Sequence, residues 1–82
     1  MNRQDIRAAV LSSLAVVAPE ADTSSLSPSA DVRDALDIDS MDFLRFVVAL
    51  NERVHVEVPE RDYPKVRTVE RCVEYLAHKL EA

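Results

Sequence analysis

Apolar side chains recur at helical spacing in three stretches of the 82-residue chain. In residues 3–17 they fall every three or four positions, which predicts a helix with one buried stripe. Residues 40–54 and the segment after Thr68 have similar spacing, and Asp39 and Thr68 are residue types expected at a helix N-cap. The predicted buried stripes are Ile6, Val10, Leu14 and Val17; Phe43, Phe46, Val47, Leu50 and Val54; and Val69, Cys72, Val73, Leu76 and Leu80.

The segments that connect these helices contain prolines and small polar residues. Residues 18–37 are predicted to form a long loop. The apolar side chains that would hold this loop against the core are Leu26, Val32 and Leu36. Two prolines interrupt the next connection, so that only a short helical turn fits around residues 60–63. We therefore predict an all-α fold: one domain over residues 1–82, a small up-and-down bundle of three main helices plus one short helix, with a long first loop.

The helix predicted over residues 40–54 is apolar on two faces. At 100° per residue its core stripe occupies one face, and Met41, Leu44 and Val48 fall together on roughly the opposite face. A domain of this size can hardly bury both faces. Two interpretations remain at this point: these three side chains pack beneath the long loop, or they form an exposed docking stripe.

Composition excludes several classes of protein. The formal net charge of −5 argues against a nucleic-acid binder, which has to neutralise phosphates. No apolar run approaches the length of a membrane span, and the N-terminal segment is predicted to be an amphipathic helix rather than a signal peptide. A single cysteine excludes an intramolecular disulfide and a cysteine-based metal cluster. We expect a reducing, cytoplasmic setting.

The acidity of the chain is concentrated around Ser40. Residues 31–42 contain five aspartates and one arginine, a local net charge of −4, whereas residues 61–71 have a net charge of +2. Most charge clusters are merely solvated faces. A cluster around a helix start can also steer a basic partner towards it.

Ser40 itself has no neighbour in sequence that could activate it as a nucleophile. Serine catalysis needs a base within hydrogen-bonding reach. The two histidines are His55, about 20 Å away at the far end of the same helix, and His78 near the C-terminus. The chain has no glycine, so a G-x-S-x-G elbow is impossible. The sequence therefore argues against a small serine hydrolase and indicates a hydroxyl that accepts a modification, because a helix start favours an attached anion.

Four motifs together resemble the acyl carrier proteins. They are Asp39-Ser40-Met41 with Asp42 after it, "VVALNE" over residues 47–52, "VEVPERD" over residues 56–62 and "VRTVERCVEYL" over residues 66–76. The Asp-Ser-Met motif is weak alone, but these segments follow it at the spacing of the family. The resemblance covers about residues 3–80. Peptide carriers of nonribosomal synthesis share the fold but more often have Gly-Gly-x-Ser before the second helix, which is absent here.

The resemblance implies a carrier rather than an enzyme. Ser40 would receive a covalent 4′-phosphopantetheine arm from coenzyme A through a phosphopantetheinyl transferase, and the arm's thiol would hold acyl groups as thioesters. Its partners would be acyl-transfer, ligase or synthase enzymes, and we expect a monomer. The core stripes would enclose a cleft for the acyl chain. The positions that match the family's partner-recognition surface are Asp39, Met41, Asp42, Leu44 and Val48, with Arg45 among them.

Two departures from the family pattern bear on the pathway. Asp37 replaces the glycine usually found before the serine, and Arg45 stands where fatty-acid carriers generally have a glutamate. Either Arg45 pairs with an acidic patch on a dedicated partner, or it is a tolerated surface change. The cargo could serve fatty-acid, polyketide or dedicated secondary-metabolite synthesis. The alternatives are an aminoacyl or peptidyl carrier and an unmodified helical interaction domain.

The remaining chemically notable residues receive structural interpretations. Cys72 lies on a predicted buried stripe and is expected to be a small core side chain. We expect His55 and His78 to be solvated. Tyr63 and Tyr75 are expected at the edge of the core, with Tyr63 near the mouth of the acyl cleft.

Overall fold

The computed structural model describes residues 1–81, and over them the chain is helical. Its helices are α1 (Arg3–Val17), α2 (Val32–Leu36), α3 (Ser40–Val54) and α4 (Val69–Glu81), with a 3₁₀ turn at Thr23–Ser25 and a 3₁₀ helix at Glu60–Val66. No strand occurs in this part of the chain. The prediction of an all-α fold with three main helices and a short one is confirmed, and each of these helices lies within the described range.

Side-chain caps mark where the three long helices begin. The Asn2 side chain accepts a hydrogen bond from the N–H of Asp5 at the start of α1 (2.8 Å). At α3 the Asp39 carboxylate accepts from the N–H of Asp42 (2.9 Å), and at α4 the Thr68 hydroxyl accepts from the third residue on (3.0 Å). Such bonds satisfy N–H groups that have no partner within the helix. The predicted caps Asp39 and Thr68 are confirmed.

Two helices end in a left-handed residue. Asp37 follows α2 with φ 53° and ψ 47°, and His55 follows α3 with φ 56° and ψ 35°. Glycine adopts this conformation freely, whereas another residue costs about 1 kcal/mol. A glycine at position 37 would adopt this left-handed conformation without that cost. This chain makes the same bend with an aspartate.

The long first connection contains more structure than its sequence indicates. The prediction of a loop over residues 18–37 missed α2, which Asp31 caps by accepting from the N–H of Arg33 (2.9 Å). Five residues are too few for a periodic pattern to emerge. The predicted helical turn at 60–63 is also longer, because the 3₁₀ helix continues to Val66.

Contacts between the three long helices build the core. Helix α1 packs on α3 and α4, and the 3₁₀ helix packs on α4. The core side chains on the long helices are Ile6, Val10 and Leu14; Phe43, Phe46, Val47, Leu50 and Val54; and Val69, Cys72, Leu76 and Ala77. One predicted core residue is wrong: Leu80 is 38% exposed, because it lies in the last turn of α4. Within residues 1–81, every helix is too short or too polar to cross a membrane.

Two backbone contacts fasten the first connection to the start of α4. The N–H of Val32 donates to the carbonyl oxygen of Arg67 (2.8 Å), and the N–H of Glu70 donates to that of Pro28 (3.0 Å). An ion pair reinforces the first contact, since Arg67 Nη2 lies 2.6 Å from Asp31 Oδ2. These contacts tie the start of α2 to the segment that leads into α4.

Candidate functional site

Ser40 is the first residue of α3 and is exposed. The preceding residue, Asp39, has extended backbone (φ −90°, ψ −176°) and caps the helix. This geometry presents the serine side chain at the positive end of a 15-residue helix. A hydroxyl in this position is accessible to a second protein.

The side chains around Ser40 are acidic and open to solvent. Asp37 and Asp39 are exposed, and the half-buried Asp42 pairs with Arg45 across one turn of α3 (Nη1 to Oδ1, 3.4 Å). An exposed pair of this kind contributes little to stability, because water and salt screen it. Arg45 thus already has an acidic neighbour within the same helix.

The structure places no histidine beside Ser40. His55 follows the opposite end of α3, and His78 lies on α4, where it is exposed. Both are solvated, as expected. Groups of three or more His, Cys, Asp or Glu that could hold a metal ion are absent from the described residues. Within residues 1–81, therefore, neither a histidine nor a group of metal-ligand side chains lies beside Ser40.

A cleft of about 280 Å³ opens beside Ser40. It draws residues from α2, α3, the 3₁₀ helix and the turn before α4. Its apolar and aromatic lining consists of Phe43, Leu44, Tyr63 and Pro64, and its charged lining consists of Arg33, Glu60 and Arg67. Tyr63, which was expected at the edge of the core, is half-buried and lines this cleft.

Aromatic and cationic contacts form one wall of the cleft. The rings of Phe43 and Tyr63 meet edge to face, with centroids 5.7 Å apart and planes inclined by 67°. The Arg67 guanidinium lies 5.9 Å from the centroid of the Phe43 ring. Phe43 is only 4% exposed, so this wall continues directly into the core.

The outer stripe of α3 is exposed. Met41, Leu44 and Val48 are 66%, 42% and 48% exposed. They do not pack beneath the first connection, so the first of the two interpretations of this face is wrong. Large apolar side chains grouped on a surface are typical of a site where another molecule docks.

Sequence reasoning missed a further apolar residue next to this stripe. Val16 of α1 is 44% exposed, and together with Leu44 and Val48 it lines a shallow groove between α1 and α3. The signal was present in the sequence, since Val16 lies off the predicted buried stripe of α1. We call Met41, Leu44, Val48 and Val16 the outer apolar patch.

A second polar cluster lies between the 3₁₀ helix and α4. The Tyr75 hydroxyl donates to Asp62 Oδ2 (2.6 Å), and Lys65 Nζ lies 3.4 Å from Asp62 Oδ1. The hydrogen bond from Tyr75 lowers the pKa of Asp62. Partial burial and the same hydrogen bond raise the pKa of Tyr75 to about 12. This cluster joins two elements of the fold and does not include Ser40.

Cys72 is part of the core, as expected. It is 1% exposed, and burial raises its pKa to about 12. A thiol that stays protonated at neutral pH is a poor nucleophile and a poor metal ligand. Cys72 is therefore a structural side chain rather than a reactive one.

The surroundings of Ser40 fit a covalently attached phosphodiester group. The hydroxyl is exposed, helix N–H groups lie next to it, and a cleft with two guanidinium groups opens beside it. The helix N–H groups and the guanidinium groups favour anionic oxygens, whereas the neighbouring aspartates oppose them. The exposed hydroxyl and the adjacent cleft therefore leave space for such a group beside Ser40.

Comparisons with known proteins agree with this site. A family model described as "Phosphopantetheine attachment site" matches residues 4–76. The acyl carrier protein of Syntrophobacter fumaroxidans is 41% identical over 56 residues, which are 68% of this chain and 69% of the relative. The acyl carrier protein of Rubrobacter xylanophilus is 34% identical over 55 residues, 67% of this chain and 68% of the relative.

Proposed function

The chain belongs to the phosphopantetheine attachment-site family, and we propose that Ser40 is the residue that carries the arm. The chain functions as an acyl carrier and is not an enzyme. Its cofactor is 4′-phosphopantetheine, whose terminal thiol holds acyl groups as thioesters. The observation that carries the assignment to Ser40 is its place: an exposed hydroxyl at the capped start of α3, next to a cleft.

Attachment needs little chemistry from the chain itself. The new bond joins Ser40 Oγ to phosphorus, and the pyrophosphate bond of coenzyme A breaks, so that the adenosine half departs. The serine proton passes to a base of the transferase, because His55 and His78 both lie on other parts of the surface. The chain contributes presentation: Asp39 holds the first turn of α3 in place, and the helix start favours the anion that forms.

The surface around Ser40 suits brief visits to several enzymes. Asp39 and Asp42 offer acidic contacts, and Met41, Leu44 and Val48 offer apolar ones. Small patches of this kind support weak, rapidly released complexes. We propose that these residues, with Arg45, contact the transferase and the acyl-transfer, ligase or synthase enzymes of the pathway.

Arg45 changes what such a partner has to offer. Its pair with Asp42 offsets one acidic charge of the surface, and the side chain of Arg45 remains 61% exposed. A partner that binds the outer apolar patch therefore needs fewer basic residues in its contact surface, and that surface needs an apolar centre. This supports a dedicated pathway over a shared housekeeping one. The monomeric state and the cytoplasmic location expected from the sequence stay predictions.

Intact-mass measurement tests the attachment site. The chain is incubated with coenzyme A and a broad-specificity phosphopantetheinyl transferase, beside Ser40→Ala and the control Ser29→Ala, which removes another exposed serine. We expect one phosphopantetheine mass gain on the wild type and on Ser29→Ala, and none on Ser40→Ala. No gain on the wild type would favour an unmodified interaction domain. An equal gain on Ser40→Ala would refute the assignment to Ser40 and place the modification elsewhere.

A further inference from the structure

Arg33 is the single basic residue of the acidic segment around Ser40. Residues 31–42 contain five aspartates beside it. Arg33 lies on α2, is half-buried, and lines the cleft into which Ser40 also opens. The fold thus brings the one cation of this segment to the cleft beside the serine.

The two guanidinium groups of the cleft differ in how they are engaged. Arg67 is already neutralised, since its Nη2 lies 2.6 Å from Asp31 Oδ2 and its Nε donates to Asp31 Oδ1 (3.4 Å). For Arg33, no carboxylate of residues 1–81 forms an ion pair with the guanidinium. The positive charge of Arg33 is therefore available to a molecule in the cleft.

An anion attached to Ser40 would need such a charge. Asp39 and Asp42 create a negative field at the start of α3, which opposes a further negative group. The helix start offsets this only in part, because the N–H of Asp42 already donates to Asp39. A guanidinium is well suited to the remaining task, since it binds phosphate and carboxylate oxygens through two parallel hydrogen bonds.

We propose that the cleft binds an anion tethered to Ser40 and that Arg33 supplies the counter-charge. This rests on the proposed attachment of the arm to Ser40. Two tethered groups have the required chemistry: the phosphodiester of the arm, and a terminal carboxylate on the acyl group. Glu60, which is exposed and lines the same cleft, opposes the binding, so Glu60→Gln strengthens it.

The experiment separates these two sources. Wild type, Arg33→Gln and Arg33→Lys are prepared as unmodified chains and with arms that carry either hexanoyl or adipoyl, which differ only in a terminal carboxylate. Arg71→Gln is the matched control, because it removes an exposed arginine on α4 that lines a different groove. Loading is verified by intact mass, and each form is then studied by urea unfolding and by ³¹P NMR.

We expect Arg33→Gln to lower the folding equilibrium constant of the modified chain about threefold to tenfold more than that of the unmodified chain. The excess loss should shrink in 1 M salt. It should also be smaller for Arg33→Lys and absent for Arg71→Gln. The ³¹P chemical shift is the more specific measurement, because a merely structural role of Arg33 would leave it unchanged. It should change in Arg33→Gln if the phosphodiester is bound.

Each outcome decides the question. An equal excess loss with hexanoyl and adipoyl identifies the phosphodiester as the bound anion, and an excess confined to adipoyl identifies the carboxylate. Equal losses in unmodified and modified chains, with an unmoved ³¹P signal, overturn the inference. A chain that gains no mass refutes the attachment at Ser40 instead, so the two failures are distinguishable.

Discussion

The two faces of α3 are built from the same kinds of side chain and differ in their exposure to solvent. Phe43, Phe46 and Leu50 point into the bundle and are at most 4% exposed, whereas Met41, Leu44 and Val48 are 42–66% exposed. Hydrophobicity alone does not distinguish the two sets. Position on the helix does, since the inner face has α1 as a neighbour and the outer face has solvent. The inner face should therefore control stability, and the outer face should control encounters with other proteins.

The largest expected effect is on the inner face. Phe46 is fully buried and contacts Phe43, with ring centroids 5.6 Å apart. Phe46→Ala leaves a cavity and removes buried apolar surface, which should cost about 3–5 kcal/mol of unfolding free energy. In a domain of this size that is a large share of the total. Urea unfolding measures the cost, and a loss below about 1 kcal/mol would contradict the described core.

Titration of the core should give the next largest effect. Burial raises the pKa of Cys72 from its ordinary value of 9.0 to about 12. The folded chain therefore keeps a proton that the unfolded chain releases above pH 9, so this contribution is present below pH 9 and is lost as the pH rises towards 12. Linkage predicts a loss of about 1.4 kcal/mol by pH 10.

The check is unfolding free energy measured against pH for the wild type and Cys72→Ala. The variant has no thiol, so its curve should be flatter between pH 9 and 10. Tyr75, whose pKa is also raised to about 12 from 10.0, should weaken both proteins alike as the pH rises through 10, so it does not affect their difference. Parallel curves between pH 9 and 10 would show that Cys72 does not titrate as its burial requires.

A smaller effect on stability is expected at the N-terminal cap of α3. Asp39→Ala removes the acceptor for the N–H of Asp42 and should cost about 1 kcal/mol. Asp39→Asn keeps a capping oxygen but removes the charge, so it should preserve stability. If the charge also guides the transferase, Asp39→Asn should slow modification of Ser40 without lowering the melting temperature. Equal destabilisation by both variants would argue against the cap.

The smallest effect on stability is expected on the outer face. Leu44→Ala and Val48→Ala together should change the unfolding free energy by less than about 0.5 kcal/mol for each residue. The same double variant should raise the KM of the transferase severalfold, if the outer apolar patch is a docking surface. Val73, which is half-buried on α4, offers a control: Val73→Ala should lower stability and leave that KM unchanged. Unchanged KM in the double variant would contradict the proposed surface.

The main helices were predictable because each repeats its pattern over 13 to 15 residues. Asp39 and Thr68 were predictable caps, since capping depends on the nearest few residues. Helix α2 was not predictable, because five residues are too few to show a helical period. Contacts with residues distant in sequence hold this helix, among them the Asp31–Arg67 ion pair. The prediction for Leu80 was wrong for the opposite reason. The helical pattern of α4 continues to this residue, but the packed core ends before it, so that Leu80 is exposed.

The candidate site divides in the same way. The place of Ser40 at the start of α3 and the exposure of Met41, Leu44 and Val48 follow from local capping and helix geometry, so both could be predicted from the sequence. The charged lining of the cleft was not predictable, because Arg33, Glu60 and Arg67 come from three separate segments. Their meeting depends on how α2 and the 3₁₀ helix pack around α3. Val16 was overlooked because its role depends on a neighbouring helix.

The position of Val16 has a geometric consequence for recognition. Met41, Leu44 and Val48 follow a single helix, so a partner that touches only these three can still roll about the axis of α3. Val16 lies on α1, to one side of that line, so a contact surface that includes it extends across two helices. A partner seated on all four is fixed in rotation as well as in position. Such a partner would bind the chain in a single orientation relative to Ser40. That orientation would determine where a group tethered to Ser40 can enter the active site of the partner.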